Sequence, residues 1–260
     1  MRRVALILTC EHAGNRLPRR YAGLFRADQA LLDSHRGWDP GALQLARLLS
    51  RELDTPLFST PWSRLLVEAN RSLHNPRLWS ARTRALPALE RQRILDRYWH
   101  PHRRAVEEKV ASVLREGACA VHVAVHSFTP RLGGEVRKAD VGLLYDSRRP
   151  GETALARHWR AGLRSTAPHL RVRYNYPYRG SSDGLTTSLS RQHPQQAYLG
   201  LELEVNQALL SRPGWQSVGR ALASTLLQAL NPALAGRQQS ARILASRSRS
   251  QRTHATGRRG

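Results

Sequence analysis

Apolar runs bounded by turn residues alternate along this chain with segments whose apolar positions recur every three to four residues. That alternation predicts an α/β fold built on a mostly parallel, mixed sheet flanked by helices. Val4–Thr9 is a near-continuous apolar run, as expected of a strand covered on both faces. Leu43, Leu45, Ala46, Leu48 and Leu49 repeat at helical spacing within Pro40–Leu53. Asp39 ahead of Pro40 reads as an N-cap followed by proline in the first turn. Short strands are expected at Pro56–Ser59 and Leu65–Glu68, then a long helix over Leu89–Arg115, interrupted near Pro101. Ala118–His126 predicts a central strand in which Val and Ala alternate with His122 and His126. Asp140–Tyr145, Leu170–Tyr174 and Tyr198–Val205 predict further strands, Glu152–Ser165 and Gly214–Leu230 helices, and Gly180–Gly184 a loop. Nothing divides residues 1–235, so one catalytic-sized domain is expected there. Residues 236–260, dominated by Ser, Arg, Gln and Gly without periodicity, are expected to form a disordered basic tail.

Composition narrows this picture more than it extends it. The formal charge is +23, and the only lysines are Lys109 and Lys138, so the charge is carried by arginine. Removing the seven arginines of Gly236–Gly260 leaves +16, still strongly basic. Such a surface attracts anionic substrates, and nucleic acid without sequence preference. No zinc finger, RNA-recognition strand or dense aromatic-basic interleaving accompanies it, so no specific nucleic-acid partner is expected. No apolar run approaches the roughly 20 residues that cross a bilayer. The short apolar start is followed at once by Glu11, His12 and Asn15 instead of a cleavage site, and a cytoplasmic location is expected. Cys10 and Cys119 are too few for a disulfide framework and read as reduced core thiols.

Candidate chemistry gathers just past the carboxyl ends of the expected strands, the edge at which open parallel sheets place their ligands. Cys10–Pro18 offers His12 as a metal ligand, Glu11 as an acid-base group or supporting carboxylate, and Gly14 for close backbone approach to a ligand. Asp39 suits either metal ligation or helix capping. His126 leaves the central strand as a further ligand, whereas His122, inside it, reads as a hydrogen-bonded core histidine. Glu204, near the end of the last strand, is placed to act as general base. His12, Asp39 and His126 with an open position for water make the donor set of a hydrolytic divalent metal, for which zinc is the natural choice. Asn70 and Arg71 after the expected Leu65–Glu68 strand, and Arg179 beside the glycine-rich loop, suit a carbonyl and the carboxylates of a small anionic substrate.

The string Leu8-Thr9-Cys10-Glu11-His12-Ala13-Gly14-Asn15-Arg16-Leu17-Pro18 resembles the opening motif of the N-formylglutamate amidohydrolase family. The similarity continues in order through Trp38–Ala42, Asn70-Arg71-Ser72, His126–Pro130, Asn175–Tyr178 and Leu201–Gln207. The resemblance implies a fold similar to the zinc exopeptidases and to bacterial cell-wall amidases. It also implies hydrolysis of a small anionic N-acyl amino acid, of which N-formylglutamate is the reference. Carried over, His12 and His126 become metal ligands, Asp39 or Glu11 the carboxylate ligand, and Glu204 the base; Asn15 and Arg16 join Asn70, Arg71 and Arg179 as expected substrate contacts. Glu68 stands where the family often has aspartate, which lengthens the reach at that position. An arginine-rich nucleic-acid-binding protein and a peptidoglycan-type amidase are the alternatives.

Overall fold

The computed structural model describes residues 3–231; the expected tail lies outside them. Its strands are β1 (Val4–Cys10), β2 (Leu57–Ser59), β3 (Cys119–Phe128), β4 (Arg131–Leu132), β5 (Glu135–Val136), β6 (Val141–Leu144), β7 (Val172–Tyr174) and β8 (Tyr198–Asn206). Six of them form one sheet in the order β2-β1-β3-β8-β6-β7, while β4 and β5 make a separate small hairpin. The sheet is mixed: β2, β1, β3 and β8 run parallel, β6 lies antiparallel to β8, and β7 is parallel to β6. The carboxyl ends of β1, β3 and β8 therefore share one edge, and the chain departs from β1 to opposite sides of the sheet. A crevice opens at such a reversal of strand order.

Side-chain alternation sorts the two faces. Val121, Val123 and Val125 of β3 and Leu199, Leu201, Leu203 and Val205 of β8 form the larger core. They meet Leu45 and Leu49 of the helix Ala42–Glu52, Leu155 and Trp159 of Pro150–Thr166, and Leu222 and Leu226 of a last helix over 215–231. On the opposite face Ile7, Ala120 and Tyr198 pack with Val106, Val110 and Val113 of His100–Arg115 and with Leu189 of Leu185–Gln192. Toward the shared carboxyl edge this second face turns polar, carrying Thr9, His122, His126, Glu202 and Glu204 on alternate positions of β1, β3 and β8.

Several expectations need correction. Leu65–Glu68 is not a strand. Its backbone curls instead, with Leu66 N–H bonded to the Ser63 carbonyl, Arg71 N–H to that of Glu68, and Glu68 N–H to that of Leu78. The helix expected from Pro40 begins at Ala42, behind a left-handed Gly41 (φ 85°), so Asp39 caps nothing with its side chain. The long helix is interrupted near Pro101, as expected, but by a change of winding and not by a break. Ala88–Ile94 passes through a π-turn, Leu95–Trp99, into His100–Arg115, and Pro101, which has no N–H to donate, is the second residue of that last segment. Cys10 and Cys119 are buried and not joined to each other in a disulfide, as expected.

Candidate active site

Three segments distant in sequence bring His12, Asp39 and His126 together. His12 follows β1 by two residues, and its carbonyl accepts a hydrogen bond from Asp39 N–H at 3.0 Å, which fastens the Asp39 loop to the strand exit. His126 lies in β3, two residues before the strand ends. Nδ1 of His12 and Nδ1 of His126 face the same oxygen, Asp39 Oδ2, at 3.1 and 3.0 Å. One donor atom from each of the three residues lies within 4.8 Å of the others, and all three are buried. Two imidazoles and a carboxylate converging in this way fit a divalent cation, as the sequence led one to expect.

The far sides of both rings are also occupied. His12 Nε2 meets Glu68 Oε1 at 2.5 Å, and His126 Nε2 lies 3.2 Å from Glu11 Oε2. A carboxylate behind a ligating imidazole fixes its tautomer and orientation. Arg64 pairs with Glu68 and reaches Asp39 at 3.4 Å. Burial pushes the Asp39 and Glu68 carboxyls up, but the neighbouring cations outweigh it and hold both well below the usual range: His12 leads at Asp39, Arg64 at Glu68. Burial and Arg64 oppose protonation of His12, yet Glu68 and Asp39 raise it. His126 is raised further, its burial outweighed by Asp39 and Glu11.

Glu204 stands opposite His126 in the β3–β8 register. It is 5% exposed, and its Oε2 has no hydrogen-bond partner among the described residues. Burial pushes its carboxyl up to about 8; Asp39 and Glu202 add to the shift, and His126 and His12 oppose it. A buried carboxylate with a free oxygen beside two imidazoles can take and return a proton. Glu204, the three candidate ligands, Asn70, Arg71 and Arg179 all line one cavity of about 450 Å³. Arg71 donates to the Asp183 carbonyl, and Asn70 Nδ2 donates to Glu202 Oε1 at 3.2 Å.

Other expected site residues fall elsewhere. Glu11 is fully enclosed beside His126 and is not among the residues lining the cavity. Asn15 and Arg16 also lie outside the cavity lining; Asn15 Nδ2 is committed to Asp33 Oδ1 at 2.9 Å. Gly14 serves close approach to backbone, not ligand, since an added Cβ would sit 2.7 Å from the Pro61 carbonyl oxygen. His122 is a core histidine, bonded to Thr9 Oγ1 at 2.8 Å and to Tyr198 Oη at 2.7 Å. Sequence reasoning missed Arg64, the supporting role of Glu68, and Glu202. Glu202 was within reach, because Leu-Glu-Leu-Glu-Val puts it on the same strand face as Glu204. Arg64 and Glu68 sit on irregular backbone with no periodic signal.

A family model described as N-formylglutamate amidohydrolase matches residues 4–211. No curated protein matches the chain. Among solved structures, a gene product of Agrobacterium tumefaciens is 30% identical, with TM-score 0.76 over 87% of this chain and 90% of the other. An N-formylglutamate amidohydrolase from Ralstonia eutropha shares the fold at 19% identity, with TM-score 0.65 over 91% of this chain and 96% of its own.

Proposed function

Because the chain belongs to the N-formylglutamate amidohydrolase family, and so is an amide-cleaving hydrolase, we propose that it hydrolyses the N-acyl amide of a small anionic amino-acid derivative such as N-formylglutamate, with a divalent metal, zinc by choice, held by His12, Asp39 and His126. The observation that carries this reading is the convergence of both Nδ1 atoms on one Asp39 oxygen beside the free oxygen of Glu204. When bound, such a cation supplies Lewis acidity to a carbonyl and to water.

The protein's own groups do the rest. Glu204 removes a proton from water as the oxygen attacks the acyl carbon, then delivers it to the departing amine nitrogen. Arg71 holds a substrate carboxylate, and Asn70 and Arg179 line the remainder of the cavity. Glu68 and Glu11 keep the two imidazoles turned inward.

The test is metal analysis of purified protein coupled to a hydrolysis screen of N-formyl and N-acetyl amino acids. Close to one divalent metal per chain, activity abolished by a chelator and restored by metal, and loss of both metal and activity in His12→Ala are expected. Metal-free protein that hydrolyses none of these compounds, with His12→Ala indistinguishable from wild type, would remove the reading.

A further inference from the structure

We propose that His102 is a positioning residue for the metal site, holding Glu11 so that Glu11 in turn fixes the ring of His126. This deepens the reading above and rests on it. Glu11 is 0% exposed, with Oε2 3.2 Å from His126 Nε2 and Oε1 3.6 Å from His102 Nε2. Both Glu11 oxygens, His102 Nε2 and His126 Nε2 are buried without a hydrogen bond among the described residues, so these two charge contacts are what surrounds the carboxylate. The carboxylate therefore bridges two imidazoles, one turned toward the candidate metal and one on a helix behind it.

Helical spacing explains why His102 reaches that point. Val106, Val110 and Val113 form the buried stripe of His100–Arg115 against the sheet. His102 lies one turn earlier on the same stripe, where an apolar residue would continue the pattern. It is buried, at 8% exposure, with Nε2 3.6 Å from Glu11 Oε1 just past the end of β1. The π-turn Leu95–Trp99 stands immediately before it and sets the register of the helix that follows. Trp99 at the end of that turn donates from Nε1 to the Arg71 carbonyl at 3.1 Å, so the same turn braces the substrate-facing loop. Arg103, the next residue, is 3% exposed, stacks on Trp99 at 4.5 Å and feels the Glu11 charge. A negative Glu11 is thus compensated from the helix as well as from His126.

With His126 Nδ1 turned toward a cation, its Nε2 carries the proton and faces Glu11 Oε2 at 3.2 Å. Glu11 can hold that ring only if its own rotamer is held, and His102 is the group on its other oxygen. Replacing His102 leaves the ligands intact but loosens the His126 ring.

The experiment measures zinc dissociation constants by chelator competition for wild type, His102→Leu and His102→Gln, with melting temperatures of the metal-free proteins. Leucine continues the apolar stripe, and glutamine returns a nitrogen close to the Nε2 position. His102→Leu should bind zinc roughly 10- to 100-fold more weakly, while its metal-free melting temperature holds or rises. His102→Gln should recover affinity to within about threefold of wild type, because its amide nitrogen restores a polar group facing Glu11 in altered geometry. If His102→Leu does not fold, His102→Asn, too short to reach Glu11, takes its place with the same expected loss. Wild-type affinity in the leucine or asparagine variant overturns the proposal, as does equal loss in glutamine and leucine. Failure of wild-type protein to bind zinc at all would instead overturn the metal reading on which it rests.

Discussion

Two buried residues with opposite displacements of their proton equilibria separate catalysis from packing. Burial pushes Glu204 up to about 8, and a cation between His12, Asp39 and His126 would draw it down and make it available as base. Glu204→Gln is therefore expected to lower kcat by about 10²- to 10⁴-fold with metal content unchanged, as read by steady-state kinetics beside elemental analysis. His122 is displaced the other way, to about 4, because burial disfavours its charged form. An imidazole whose proton is held less tightly when folded contributes stability above its unfolded pKa of 6.5 and loses it as pH falls toward 4. The displacement corresponds to roughly 3 kcal/mol. Denaturant unfolding at pH 7 and pH 4 should show the advantage of wild type over His122→Asn shrinking by up to that amount; a pH-independent difference would refute the neutral-core assignment. His122 and His126 are four residues apart on one strand face, yet one is enclosed by Thr9 and Tyr198 and the other opens onto the cavity. Distance from the strand end told them apart in the sequence.

At the scale of elements, strands were the most legible part. β3 and β8 are buried along nearly their whole length and β1 over its second half, and a run that must be apolar on at least one face advertises itself. The 131–136 hairpin and the short helices were not legible, because four exposed residues joined by Gly133 and Gly134 carry no periodicity. Asp39 shows the limit of local signals. Asp-Pro ahead of an apolar helix reads as a cap, but backbone bonding from Asp39 N–H to the His12 carbonyl turns the carboxylate into the site, and Gly41 starts the helix. That glycine is demanding: φ is 85°, and an added Cβ would lie 2.9 Å from Leu210 Cδ1. Gly41→Ala should cost about 1–3 kcal/mol in thermal or denaturant unfolding. Because the strain falls next to Asp39, metal affinity should drop with stability, which the same chelator competition would read.

Over the whole molecule, arginine sets the electrostatics. The excess of +16 outside the last 25 residues surrounds a cavity whose mouth carries Arg36, Arg77 and Arg179, all exposed. An anionic substrate approaching such a surface is attracted before it docks. Raising ionic strength from about 0.01 to 0.15 M, where the screening length contracts from roughly 30 to 8 Å, should depress kcat/KM and leave kcat unchanged. A salt-insensitive kcat/KM would mean that the charge serves no purpose in substrate capture. Among the described residues no helix is long and apolar enough to cross a membrane. Fold class and family were legible because the ordered strand-end motifs span most of the chain; the support of the site from the helix-borne His102 and the loop-borne Arg64 was not, since both reach it only after folding. Finally, Cys10 sits at the end of β1, immediately before Glu11 and His12, fully enclosed, with its thiol pushed up by burial and by the Glu11 and Asp39 charges. A thiol so shielded is alkylated only during the moments when the strand exit opens, so its modification rate under native conditions is a built-in clock for breathing of the catalytic edge, one that occupancy by metal or substrate should slow.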